Sequence, residues 1–147
     1  MRALVYDCSA GISGDMNLAA LIDLGADREN LERELSKLHV HGEWKLECRR
    51  AQQHGIQGTR IDVLTEEEGH SGCSHAHHHR TMADIRTLIE TSALSNTVKR
   101  TALSIFTLLA EAEARVHGTA PEEVHFHEVG AVDSIIDITG AAICLEM

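Results

Sequence analysis

Three stretches of this chain hold most of the side chains able to bind a metal, hold a phosphate or move a proton. The first is Asp7-Cys8-Ser9-Ala10-Gly11-Ile12-Ser13-Gly14-Asp15-Met16. An apolar run enters it and a helical pattern leaves it, so its two glycines fall where a strand gives way to a helix N-terminus. Free backbone N–H groups and the positive end of the helix dipole favour an anion at such a place. Gly11 and Gly14 would let a phosphate come close to the backbone, with Ser9 and Ser13 beside it. Asp7 and Asp15 could instead hold a cation or a ribose. The spacing matches neither the Walker loop nor G-x-G-x-x-G. An ordinary tight turn with Ser13 or Asp15 as the helix cap accounts for the same residues.

The second stretch holds His70, Cys73, His75, His77, His78 and His79. Neutral imidazoles and a thiolate suit nickel, copper and zinc. The run from Glu66 to Arg80 is almost free of apolar residues and has no periodicity, so it reads as a mobile loop at about 66–80 that captures and delivers a metal. Incidental histidines on a solvated loop are the plain alternative. The third stretch is His125-Phe126-His127-Glu128-Val129-Gly130-Ala131-Val132-Asp133-Ser134-Ile135-Ile136-Asp137. On a strand, His125 and His127 would share a face and so could share an ion. Gly130 turns the chain into a helix, where Asp133 and Asp137, four apart, share a face. Glu128 could ligate a metal or move a proton. Solvated edge histidines and acids that only complement a helix dipole would look the same.

Composition narrows the partners. The 147 residues carry a formal charge of −10, which argues against nucleic acid and against an anionic membrane. Eleven histidines stand out, where average usage gives roughly three. Four cysteines, none in a C-x-x-C pair, make neither a zinc ribbon nor a disulfide scaffold, and Cys48 and Cys144 sit in apolar patterns as reduced core residues. The N-terminus has no signal-peptide pattern and no apolar run reaches membrane-spanning length, so a cytoplasmic protein is expected. His39, His41, His54 and His117 read as surface or turn histidines, and Glu66 to Glu68, Glu111 and Glu113 as solvated acids.

The elements that must position these stretches follow from periodicity. Ala3 to Tyr6 reads as a buried strand. Asp15 to Leu24 is a helix stopped by Gly25, and Asp27 caps a second with Leu31, Leu35 and Leu38 inward. Trp44, Leu46 and Cys48 alternate with charged residues, Gln53-His54-Gly55 turns, and Ile56 to Val63 returns with an irregular middle at Gly58. A helix begins with Ile85, Leu88 and Ile89, capped by Ser74 or Thr81, and pauses at Ser92 to Ser95. A long helix follows, with Val98, Ala102, Ile105, Leu109, Ala112 and Val116 on its inner stripe, and ends at Gly118. Val124 and Phe126 suggest a fourth strand, and Ala131 to Met147 a last helix. This order predicts an α+β fold, a ferredoxin-like split βαββαβ sheet with helices on one face plus a C-terminal helix. The last helix stops at Met147 without a cap or a glycine, so residues 1–147 read as a single N-terminal domain of a longer protein.

Taken together, YDCSAGISGDM, a His-rich loop before a long helix, and HFHEVGAVDSIIDITGAA resemble the LarC family. Its members are nickel insertion proteins (nickel chelatases) for the nickel-pincer nucleotide cofactor of lactate racemase. The resemblance covers nearly the whole chain but only the N-terminal portion of the longer family proteins. It implies insertion of nickel between the two thiocarboxylates of a pyridinium mononucleotide. It also implies use of CTP with manganese or magnesium, a cytoplasmic homo-oligomer, and a C-terminal domain that carries the CTP site. His75, His77, His78 and His79 would then collect nickel, with His125 and His127 as further metal ligands. Asp7, Asp15, Glu128 and Asp133 would be the catalytic candidates, and Ser9, Gly11, Ser13 and Gly14 the cofactor-binding ones. The competing expectations are a nickel chaperone or store in which only the loop matters, a zinc or manganese hydrolase, and a plain interaction domain.

Overall fold

Short-range chemistry sets most of the helix ends. The computed structural model describes residues 3–40, 44–65, 80–126 and 129–147. Helix α1 (Gly14–Asp23) ends as expected at Gly25, whose φ of 108° only glycine adopts easily. The Gly25 N–H donates to Ile22 O and the Ala26 N–H to Leu21 O, the paired bonds of a Schellman stop. Helix α2 (Arg28–Leu35) is capped by Asp27, whose carboxylate accepts the Glu29 N–H at 3.0 Å. Helix α3 (Met82–Thr91) starts in a capping box between Thr81 and Asp84, so Thr81 is its cap. Ser95 caps α4 (Asn96–His117), and Gly118, at φ 68°, closes it. A single 3₁₀ turn, Pro121–Glu123, leads towards α5 (Val132–Glu146).

Strands β1 (Trp44–Gln53) and β2 (Ile56–Thr65) pair antiparallel in a hairpin. Its two-residue turn has positive φ at both His54 and Gly55, as a turn matched to strand twist requires. The expected irregularity at Gly58 is absent: Ala51 faces Gly58 and the register runs unbroken from Trp44↔Thr65 to Gln53↔Ile56. The class is α+β, but the ferredoxin-like sheet does not form among the described residues. Residues 3–8 hold no strand, and Val5 is 83% exposed. In place of a fourth strand, His125 makes one isolated antiparallel bridge to Thr81. Apolar content predicted the strands, but a strand also needs a neighbour to pair with, and neither segment pairs with the hairpin among the described residues.

Helix α5 is the centre of the packing and touches α1, α2, α4 and β2. Its run from Thr139 to Cys144 is buried, and Ile135 and Ile136 are fully so. A helix this apolar on all sides must be enclosed. Helices α1 and α5 lie on the inner face of the hairpin with Leu46 and Ile61, while Lys45, Glu47 and Arg49 face out. Asp23 ties the end of α1 to the hairpin, accepting from the Thr59 N–H at 3.1 Å, the Thr59 hydroxyl at 2.7 Å and Arg50 at 2.8 Å. The inner stripe of α4 differs from the expected one. It is Val98, Ala102, Phe106, Ala110 and Ala114, whereas Val116 is 80% exposed. Phe106 turns the helix, meeting Phe126 edge-on with ring centroids 6.3 Å apart.

Candidate functional site

The first motif is built from the backbone outward. The Ser9 N–H donates to the Asp7 carboxylate at 3.1 Å, and the Gly11 N–H donates to Cys8 O at 2.9 Å. The Ser9 bonds hold the Asp7 carboxyl below the usual carboxylate range. Gly11 carries the turn at φ 80°. Ser13 is the N-cap of α1 by backbone conformation, yet its side chain caps no N–H and hydrogen-bonds to the Asp15 carboxylate instead. The residues from 3 to 14 are exposed throughout, so Asp7, Ser9 and Ser13 are open to a ligand.

Across from this motif lies the amino half of α5. Gly14, the first residue of α1, sits directly against Asp137: a Cβ built on Gly14 would be 2.6 Å from the Asp137 Cβ. The next turn repeats the close approach, with Leu18 packed 3.0 Å from where a Gly140 Cβ would stand. Glycine on one helix and then on the other lets the two backbones come together. The first and third motifs, from opposite ends of the chain, therefore meet at the α1–α5 junction. Asp15, half-buried, and Asp133, exposed, flank it, and the Asp133 carboxylate accepts the Ser134 N–H at 2.7 Å.

Asp137 is the residue that the sequence reading left out of its site. Burial, then the charges of Asp15 and Asp133, push its carboxyl up to about 7. Its Oδ1 is buried without a hydrogen-bond partner among the described residues, as are Asn17 Oδ1 and Thr139 Oγ1. The signal was present as the Asp133–Asp137 spacing, but spacing alone does not show which of two acids is covered.

The rest of the third stretch is fixed differently. The Phe126 N–H donates to Arg80 O at 3.2 Å, and the Arg80 guanidinium donates to Gly130 O at 2.7 Å. Gly130 is buried, and a Cβ built on it would stand 3.1 Å from Phe126 and 3.3 Å from the Arg80 nitrogen, a tight fit. Phe126 anchors the segment in the core and His125 is exposed. His125 lies near Asp84, whose carboxyl is held below the usual range chiefly by the Thr81 hydroxyl and N–H. His70, Cys73, His75, His77, His78, His79, His127 and Glu128 lie outside the described residues. Among the described residues, no three His, Cys, Asp or Glu side chains are placed to hold a metal ion, so His125 is not joined there by the aspartates. Cys144 is buried, its thiol pushed up to about 11, and Cys48 is half-buried, as expected for reduced core cysteines.

The family model described as nickel insertion protein matches residues 4–147. This chain belongs to the nickel insertion protein family. A protein of Akkermansia muciniphila, named pyridinium-3,5-bisthiocarboxylic acid mononucleotide nickel insertion protein, is 95% identical over 147 residues, which are 100% of this chain and 36% of that protein. Proteins of the same name from Clostridium kluyveri and Clostridium acetobutylicum are 52% and 47% identical, each over 99% of this chain and over 38% and 41% of their own lengths. The chain thus spans little more than a third of the length of these relatives. No solved structure matches it.

Proposed function

We propose that this chain is the N-terminal, metal-handling domain of a protein that inserts nickel into the pyridinium bis-thiocarboxylate mononucleotide, making the nickel-pincer nucleotide. The observation that carries this reading is the meeting of the first and third motifs at Gly14 and Asp137. A nickel store would need only the His-rich stretch, with no reason to bring two distant motifs together. The relatives' names supply the cargo and the acceptor.

In this proposal His75, His77, His78 and His79 collect nickel, since imidazole ligands bind it and exchange readily. His125 and His127 receive it. Support comes from the anchored neighbour of the stretch: Arg80, next in chain to His79, is bonded to Phe126 and Gly130. Arg80, which follows the His-rich run in sequence, is therefore held beside His125. Ser9, Gly11, Ser13 and Gly14 hold the mononucleotide, and Asp7, Asp15, Glu128 and Asp133 act on it. In this proposal the use of CTP with manganese or magnesium belongs to the part of the family polypeptide outside this chain. A cytoplasmic homo-oligomer completes the proposal, and no described helix is long and apolar enough to cross a membrane. A ferredoxin-like sheet in the longer protein would explain why Leu4, Val5 and Tyr6 are exposed apolar residues here.

Calorimetric titration of nickel into this chain, beside a variant lacking His70 to His79, tests the metal assignment. Uptake that vanishes with the deletion is expected. Uptake that survives it moves the collecting role to His125 and His127, and no uptake by either protein contradicts a metal-handling role for this domain.

A further inference from the structure

The α1–α5 junction contains a donor problem. Asp137 Oδ1 and Asn17 Oδ1 are buried acceptor oxygens without a partner among the described residues. Asn17 stands one turn beyond Gly14, and residues three apart share a helix face. A carboxylate has only acceptors to offer, whereas a protonated carboxyl gains one O–H donor. Unpaired buried polar atoms are costly, so a proton on Asp137, which supplies a donor and removes a charge, favours the arrangement. The absent side chain at Gly14 leaves room for the carboxyl and nothing more.

We infer that Asp137 is a positioning residue whose bound proton holds the amino end of α1, and with it the first motif, against α5. This rests on the reading that the two motifs work as one site, and it adds the means by which that site is held or released. Among the described residues, the charged groups that act on Asp137 are Asp15 from α1 and Asp133 from its own helix. Charged side chains of β2, α2 and α4, the other elements packed on α5, are not among them. Arg60 of β2 faces Asp15 but is engaged by Asp62 at 2.9 Å. Loss of the proton therefore places a third negative charge beside two others, with no cation acting on it among the described residues. The charged Asp15 of α1 then repels the carboxylate, and its buried Oδ1 gains solvent as α1 separates from α5. No bond other than O–H is made or broken, and the proton goes to solvent.

The sign is set by the raised carboxyl. An acid whose folded value lies near 7 and whose unfolded value lies near 4 favours the closed junction at low pH. That preference fades as pH rises through about 7. The test is hydrogen exchange of the Leu18 to Leu21 amides at pH 4 and pH 8, with intrinsic rates removed, in this chain and in Asp137→Asn. The asparagine is a neutral isostere with a permanent donor. Protection is expected to match in the two proteins at pH 4 and to be at least about tenfold higher in the variant at pH 8. Equal protection at both pH values overturns the inference, as does lower protection in the variant at pH 8. Carboxyl carbon NMR of the unmutated chain decides the matter if the variant does not fold. Titration of Asp137 near neutrality supports the inference, and titration near pH 4 overturns it. Neither experiment uses nickel or nucleotide, so failure here leaves the nickel reading standing, and failure of nickel insertion leaves this one standing.

Discussion

Helices α3 and α4 start by the local rules of helix construction, and helices α1 and α5 do not. The first pair has a capping box at Thr81, a serine cap at Ser95 and a left-handed glycine stop at Gly118. The second pair begins without any side-chain cap, at Ser13 and at Ala131. The three buried side-chain oxygens without a partner among the described residues, on Asn17, Asp137 and Thr139, all belong to α1 and α5. Sequences that fold to one structure satisfy polar groups wherever function does not forbid it. The contrast supports the proposal that the working part of the domain is on α1 and α5, with α3 and α4 as its support.

Substitutions sharpen that contrast. Phe106→Ala removes the ring that α4 packs on Phe126, and should cost about 3–5 kcal/mol at any pH, read from urea unfolding. Gly14→Ala should cost about 2 kcal/mol, because the new methyl meets Asp137. Helix propensity alone gives the opposite sign, about 1 kcal/mol in favour of alanine, so a stabilised variant would show that α1 and α5 are not in close contact. Asp137→Asn should be the pH-dependent case. Its stability relative to the unmutated chain should rise by about 1–2 kcal/mol between pH 4 and pH 8, after allowance for solvent at a partly exposed carboxyl. Thermal unfolding across that range shows the trend, and parallel curves would break the comparison. Thr81→Ala should cost about 1 kcal/mol through loss of the capping box, with no effect on nickel uptake.

What could be read from the sequence was what short range decides. Gly25, Asp27, His54-Gly55 and Gly118 act within a few residues of themselves, and each stop, cap or turn stands where it was expected. The α4 stripe was rotated because a helical period fits several neighbouring stripes, and only the partner Phe126 selects the one through Phe106. The run from Ala3 to Tyr6 looked like a buried strand because its residues are apolar, but burial depends on what else is there to cover it. The candidate site was legible as three clusters of residue types. Their meeting was not, since it depends on Gly14 and Gly140 facing a helix from the other end of the chain. Asp137 was missed for the same reason: its spacing fits a solvated acid as well as a covered one.

The central claim is that the two motifs meeting on α1 and α5 serve nickel insertion. It is tested most directly in a full-length relative, by following transfer of nickel to the pyridinium bis-thiocarboxylate mononucleotide with Asp15→Asn and Asp133→Asn in turn. Nickel uptake should be unchanged in both variants, and transfer should fall about 100-fold or more in each. Transfer at the unmutated rate in both would contradict the account.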